Sequence, residues 1–405
     1  MKNPMITPQE AEQQIAEHLP AFPDIEVPLE EAHNQILREA VTADRDLPPY
    51  DRITMDGVAI HFDAWQSGRR AFVMEETAAA GREAPSLADP EGGCVQVMTG
   101  AMLPGGANTV IPYEDLDMDG KNVTIRSDAQ IAPLQNLHSK GSDRQQGQPV
   151  LGKGTLLRGP HISVAAAVGR PTLRVAARPS VAIVSTGDEL KNVEDPVEPY
   201  QIRSANDRGI RAALLNGGYG KVDAFRVEDD LSKTEILLNR LLREYGVLIL
   251  TGGVSMGKRD FVPKALTQLG VTNIFHKIRQ KPGKPMWFGL SRDNQPVFAL
   301  PGNTVSTLIC LHRYVLPRLD RAMGAEPAAV IYVRLKEAVR FQPPLTGFIP
   351  VRLHWETDGT CHALPLETNT SGDFASLSAS DGFIELPEGQ DVFQAGQAVK
   401  YVAWK

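Results

Sequence analysis

Val181–Ser185, Val247–Leu250 and Val297–Leu300 are short unbroken apolar runs of the kind that form strands buried on both faces. Between and after them, apolar residues recur at helical spacing in Ile210–Asn216, Ile236–Glu244, Phe261–Leu269 and Val305–Leu316, with Gly217-Gly218 stopping the first of these helices. Strands alternating with helices predict a parallel sheet covered on both sides.

The flanking regions read differently. Thr7-Pro8-Gln9-Glu10 is a capping box with proline at the first helical position, predicting a helix through roughly Leu19. Glu30–Val41 reads as a second helix, and Leu47-Pro48-Pro49-Tyr50 breaks it. From about Asp51 to Asp143 short apolar runs such as Cys94–Met98 and Thr109–Pro112 are split by glycine and proline clusters, the pattern of a small β-rich domain. His161–Val168 is helical, and the α/β pattern begins near Pro179. After about Met323 the chain alternates again, in Ile331–Leu335 and Gly347–Leu353, with a turn at Asp358-Gly359. Boundaries are therefore expected near residues 50, 143, 178 and 323.

Composition narrows the function classes. A chain of 405 residues exceeds one ordinary core, and 42% hydrophobic with 22% charged residues is globular. No run reaches the ~18–20 apolar residues of a membrane helix, and the N-terminus lacks a secretory apolar core. Cytoplasmic residence without a membrane partner is the expectation. Cys94, Cys310 and Cys361 are isolated from one another and from histidine motifs, against a disulfide framework or zinc site. The net charge of −7 argues against nonspecific nucleic-acid binding.

Several segments carry candidate chemistry. Thr251-Gly252-Gly253-Val254-Ser255 follows a buried strand, where glycines let the backbone approach an anion; a tight connection is the plainer alternative. Lys277, Arg279, Lys281 and Lys284 crowd a turn fixed by Pro282, Gly283 and Pro285, suiting phosphate or oxyanion, or else forming a solvated charge run. In Leu300-Pro301-Gly302-Asn303-Thr304-Val305-Ser306, Asn303, Thr304 or Ser306 caps a helix, with or without a ligand in front of it. Carboxylates at Asp56, Asp143, Glu189, Asp229, Asp230 and Asp260 occupy turn-like settings. Gathered beside a polyphosphate-type anion they would need a hard cation such as Mg²⁺. Thr99, in Met98-Thr99-Gly100, offers a hydroxyl donor to an oxyanion.

Taken in order, these segments resemble the molybdopterin molybdenumtransferase family (bacterial MoeA, gephyrin E domain). The matching motifs are MDG-x-A at Met55–Ala59, TGA-x-LP-x-GA at Thr99–Ala107, STGDEL at Ser185–Leu190, TGGVSMG-xx-D at Thr251–Asp260, KPGKP at Lys281–Pro285 and LPGN-x-VS at Leu300–Ser306. TGGVS and PGN are shared with related domains; MDG, TGA and KPGKP in this order are more specific. The resemblance implies an elongated linking domain (1–50 and 144–178), an inserted β-rich domain (51–143), an α/β molybdopterin-binding domain (179–323) and a C-terminal β barrel-like domain (324–405). It also implies a homodimer whose cleft is shared between subunits. Val58 for tyrosine, Ser204 for the aspartate of a DSN-like turn, Asn108 for aspartate and Thr304 for proline depart from the usual pattern.

Carried over by position, Asp56, Thr99, Asp143, Glu189, Asp230 and Asp260 match residues linked to activity, with Asp229 an alternative to Asp230. Lys277, Lys281, Arg352 and Ser371 match cleft positions. The implied reaction is insertion of molybdate into adenylylated molybdopterin with release of AMP. The glycine loops (Gly252, Gly253, Ser255), the Pro301-Gly302-Asn303 turn with Ser306, and Lys281 and Lys284 would hold phosphate and adenylate. Glu189, Asp230 and Asp260 would hold Mg²⁺, and molybdate would bind near Lys277, Lys281 and Ser371. The molybdopterin adenylyltransferase is a candidate partner, and the sequence does not choose between molybdate and tungstate. The competing readings are a non-catalytic molybdopterin-binding scaffold and a different nucleotide-linked enzyme, an adenylyltransferase or hydrolase.

Overall fold

A computed structural model describes residues 5–254, 261–366 and 373–404. The chain divides into two compact units, one of residues 1–39, 153–158 and 172–405, the other of residues 40–152 and 159–171. Among the described residues no helix is long and apolar enough to cross a membrane.

The first unit is centred on a six-stranded sheet of β1 (Val181–Thr186), β2 (Val222–Val227), β3 (Val247–Thr251), β4 (Thr272–His276), β5 (Trp287–Leu290) and β6 (Pro296–Leu300), in the order β2-β1-β3-β6-β5-β4. The first four positions are parallel; β5 and β4 run antiparallel at one edge. The helices are α1 (Asn206–Asn216), α2 (Leu231–Glu244), α3 (Val262–Gln268) and α4 (Thr304–Cys310). Successive residues of β1, β3 and β6 alternate between two cores: Val181, Ile183, Val247, Ile249, Phe298 and Leu300 join one, while Ala182, Val184, Leu248, Leu250, Val297 and Ala299 join the other. Both faces are thus buried, which is why these strands read as unbroken apolar runs rather than alternating ones.

The capping box forms as expected: the Thr7 side chain accepts from the Glu10 N–H and Glu10 returns to the Thr7 backbone, starting the Pro8–His18 helix. The expected helix over Glu30–Val41 does not form. Only Leu29–Glu31 makes a helical turn, Asn34 takes a φ of +65°, and Ile36 and Leu37 pair in extended conformation with Leu156 and Val175. Burial of Ile36 and Leu37 outweighs the local helical spacing. The predicted final helix over Val305–Leu316 continues through a wider π-type turn at Leu311–Val315 into Leu316–Ala322.

Five C-terminal strands close into a barrel. Thr346–Trp355 pairs with both Cys361–Pro365 and Gly382–Leu386, and Ala398–Ala403 and Ile331–Leu335 complete the ring. A buried ion network ties this barrel to the helices: Arg313 bonds Glu385 of the barrel and Glu12 of the first helix, both at 2.9 Å, and Arg318 bonds Glu12 at 2.6 Å.

The second unit carries its own six-stranded sheet, ordered Thr109–Pro112, Gly57–Ile60, Gly93–Val97, Ala71–Ala78, Asn122–Ile125, Leu116–Asp119. Hydrophobic clusters cover its two faces, one around Phe72 and Ile111, the other around Val95 and Val97.

The three cysteines are unpaired. Burial pushes the Cys94 and Cys310 thiols up to about 12, and the Cys361 thiol upward. A thiolate is the reactive form, so Cys94 and Cys310 are expected to resist a disulfide reagent at pH 8 in the native protein and to react on unfolding. Thiol counting before and after denaturant checks this.

Candidate functional site

Parallel sheets bind ligands beyond their carboxyl ends, where the strand order reverses. In this sheet the chain leaves β1 to form β2 on one side and β3 on the other, so the reversal lies between the ends of β1 and β3. A cavity of about 340 Å³ opens there. Its walls include Ser185, Thr186, Gly187 and Glu189 at and beyond the end of β1, Thr251 to Val254 at and beyond the end of β3, and Pro301, Gly302 and Thr304 after β6. Arg203, Ser204, Asn206, Asp229 and Pro285 are also among them.

The loops are held by a few specific bonds. The Asn206 amide donates to Thr251 Oγ1 at 2.9 Å and to the Gly302 carbonyl at 2.7 Å, and Thr251 Oγ1 donates to the Pro301 carbonyl at 3.3 Å. Gly252 has a φ of +90°, and a side chain there would place Cβ 2.7 Å from the Thr186 carbonyl oxygen. The glycine lets the β3 loop lie against the end of β1, so geometry and close ligand approach call for the same residue.

Asn303 caps α4, accepting from the Ser306 N–H at 3.0 Å and the Ser306 hydroxyl at 3.1 Å, and Ser306 is buried. Neither is on the cavity wall, whereas Pro301 and Gly302 are. Asp230 caps α2 by accepting from Lys233 N at 2.7 Å; Asp229, its alternative in the sequence, lines the cavity, and its N–H donates to Asp188. Among the described residues no three histidine, cysteine or acidic side chains gather as a metal site. Asp260, Ser255 and Ser371 lie outside the described residues.

The cationic run follows β4. Lys277 takes a φ of +81°, a conformation costly for a residue with a side chain. Arg279 pairs with Glu388. Lys277, Lys281 and Lys284 make no ion pair among the described residues, and Pro285 carries the turn to the cavity wall. Behind the turn, the buried Gln280 accepts from the Tyr314 hydroxyl and donates to the Pro282 carbonyl. Gln280 and Lys281 pair with the barrel strand at Thr346 and Gly347; on that strand Arg352 is exposed and donates to the Ala379 carbonyl at 3.2 Å.

In the second unit, Asp56 and Thr99 meet directly. One Asp56 oxygen accepts from the Thr99 N–H at 2.6 Å and its hydroxyl at 2.7 Å. These bonds, the backbone one foremost, hold the exposed Asp56 carboxyl below its ordinary value. Thr99→Val is expected to move the Asp56 titration upward toward the ~3.9 of a free aspartate, without unfolding. Carboxyl-carbon NMR checks it. Asp143 accepts from His138 Nε2 at 2.9 Å, while His138 Nδ1 faces an Arg52 guanidinium nitrogen at 2.9 Å. Arginine only donates, so Nδ1 is the acceptor and the Nε2–H points at Asp143. Nothing in the spacing of the sequence pointed to His138, because the contact depends on the pairing of residues 52–53 with 137–138.

Comparison with known proteins agrees across the chain. Residues 6–169 match the MoeA N-terminal region (domain I and II), 182–321 a probable molybdopterin binding domain, and 332–404 the MoeA C-terminal region (domain IV). The molybdopterin molybdenumtransferase of Synechocystis sp. is 38% identical over 99% of this chain and 100% of its own length. That of Synechococcus elongatus is 32% identical over 92% of this chain and 93% of its own. The crystal structure of the molybdopterin biosynthesis MoeA protein from Pyrococcus horikoshii superposes with a TM-score of 0.82 at 26% identity, covering 99% of this chain and all of that one. With the cavity at the sheet's reversal point, the barrel and the sequence likeness in agreement from end to end, the chain belongs to the molybdopterin molybdenumtransferase family, transferases of molybdenum cofactor biosynthesis.

Proposed function

We propose that this chain transfers molybdenum from molybdate to adenylylated molybdopterin, with loss of AMP, in the cavity at the ends of β1, β3 and β6. The observation that carries the proposal is the meeting of a glycine loop, the Pro301-Gly302 turn, Glu189 and Asp229 around one cavity. Backbone N–H groups of the loops and the Lys281 and Lys284 side chains bind the phosphoanhydride; Lys277 and Lys281 attract the tetrahedral oxyanion. Asp56, Thr99 and Asp143 belong to the proposal through a second copy of the chain, as a shared-cleft homodimer would require.

The donor set suits Mg²⁺. That ion prefers oxygen ligands and is commonly held by one or two carboxylates together with substrate phosphates rather than by a full protein cage. Glu189 and Asp229, which line the cavity, would supply two carboxylates; Asp230, next to Asp229 in sequence, accepts from the Lys233 N–H. Bound there, Mg²⁺ would neutralise charge developing on the phosphoanhydride. The protein's own part is to orient the anhydride on the loop N–H groups, and to hold a fixed electrostatic frame around the departing phosphate. The dithiolene sulfurs belong to the substrate, consistent with three cysteines of which two are deeply buried. The molybdopterin adenylyltransferase is proposed as the donor of the substrate, in the cytoplasm.

The test is AMP release from purified adenylylated molybdopterin, with molybdate and Mg²⁺ each present or absent. Release that needs both supports the proposal. Tight binding without release under every condition would favour the scaffold reading.

A further inference from the structure

Beside the Gly252-Gly253 loop, Ser185, Thr251 and Asn206 also line the cavity and form a polar floor on the α1 side of the sheet. Ser185 and Thr251 are register partners on adjacent parallel strands, so their side chains share a face. Asn206 reaches Thr251 from the first turn of α1.

The orientation of the Asn206 amide is fixed by its neighbours. A carbonyl can only accept, so the group facing the Gly302 oxygen at 2.7 Å must be the NH₂. Its second hydrogen goes to Thr251 Oγ1. The amide oxygen, Oδ1, therefore cannot be exchanged with the nitrogen by a flip without opposing two oxygens. Among the described residues Asn206 Oδ1 is shielded from solvent and has no hydrogen-bond partner, and neither has Ser185 Oγ, on a side chain only 2% exposed. Buried polar atoms are rarely left unpaired, and each such atom in a cavity wall marks a place for a ligand or water of matching polarity.

Matching polarity is decisive here. Asn206 Oδ1 only accepts. Phosphate and molybdate oxygens are themselves acceptors at neutral pH, so an oxyanion against Asn206 Oδ1 would set oxygen against oxygen. An amino group on a heteroaromatic ring supplies the missing donor, and the Ser185 hydroxyl adapts to either polarity beside it. We infer that Asn206 Oδ1, assisted by Ser185, is a specificity-determining acceptor that reads the amino-bearing edge of a heterocycle. The inference rests on the cavity being the substrate site. It adds which side chains read the ring, and it concerns recognition rather than molybdenum chemistry.

Two rings of the proposed substrate carry such an edge, the pterin and the adenine. Binding to the full-length protein is measured by calorimetry with two matched pairs: pterin against lumazine, and adenosine against inosine. In each pair the second compound replaces the amino donor by a carbonyl acceptor. A buried acceptor left unsatisfied is costly, so the member carrying the amine should bind at least about fivefold tighter in one pair, and that pair identifies the ring. In Asn206→Ala the preference should fall to about onefold. Because this substitution also frees the Pro301-Gly302 turn, Ser185→Ala, which leaves the turn bonded, is measured beside it and should weaken the preferred ring severalfold. Equal affinities within both pairs, a preference surviving intact in Asn206→Ala, or binding of none of the four compounds would overturn the inference. Failure of the transferase reading is separately visible: ring discrimination would persist while AMP release from adenylylated molybdopterin was absent.

Discussion

Replacing Gly252 by alanine is expected to lower turnover of adenylylated molybdopterin by at least about 100-fold while leaving the protein folded. At a φ of +90° the new side chain is strained, and its Cβ would stand 2.7 Å from the Thr186 carbonyl and 3.0 Å from Thr186 Oγ1. That carbonyl belongs to the central strand β1, bonded on both sides to β2 and β3. The loop must therefore move and the strand stays. Left-handed strain costs on the order of 1–3 kcal/mol, and a misplacement of about 1 Å in a positioning group alone can cost roughly 10² in rate. Gly302→Ala is the natural comparison, because its Cβ would meet Gly252 Cα at 3.4 Å, an ordinary contact; its loss should be under about tenfold. Steady-state kinetics with thermal unfolding of both variants separates loop geometry from stability. Near-normal turnover by a folded Gly252→Ala protein would contradict the assigned role of the loop.

The second large effect concerns stability. Arg313 is 4% exposed and is held by Glu385 and Glu12. Burial opposes its charge, but Glu385 beside it, with Tyr314 and Glu12, raises the guanidinium above its ordinary value. Arg313→Met leaves the buried Glu385 to Lys400, at 3.4 Å, and to the Gln9 amide, also at 3.4 Å. Removing one partner of a buried pair costs about 3–5 kcal/mol, so the urea midpoint of the first unit should drop sharply. Adding Glu385→Leu should recover part of the loss, since the stranded charge goes with it.

The same network gives a pH dependence. Burial alone would raise the Glu12 carboxyl, but Arg313, through charge and hydrogen bond, and Arg318 bring it below its ordinary value. A carboxyl lowered on folding contributes stability that is complete above the unfolded glutamate range of ~4.3 and is lost as pH falls through the folded value. Acid unfolding of the wild type should show this loss below that range, and Glu12→Gln should flatten it.

The central sheet was legible because burial on both faces leaves no periodicity to misread; β1, β3 and β6 appear as plain apolar runs. The edge was not legible. β4 and β5 flank the cationic turn, and Thr272, Asn273 and Gly289 dilute their apolar content. The misread helix over Glu30–Val41 failed for a tertiary reason, the pairing of Ile36 and Leu37 with distant residues. In the site, Gly252, Gly253, Pro301, Gly302 and Glu189 were visible as loops after strands. Ser185 stood out only as the first residue of the STGDEL motif and Asn206 not at all, because their contacts are with neighbours about 45 to 96 residues away in sequence that the sheet brings together. The capping role of Asp230 did have a sequence signal: it immediately precedes the helical run Leu231–Glu244, the preferred place for an N-cap.

The most direct test of the central claim couples the two products. Adenylylated molybdopterin, molybdate and Mg²⁺ are incubated with the purified protein, and AMP and pterin-bound molybdenum are quantified in the same samples. The account predicts that both rise together, one molybdenum per AMP, and that neither appears when molybdate is withheld. AMP released without molybdenum on the pterin would instead identify a hydrolase and contradict it.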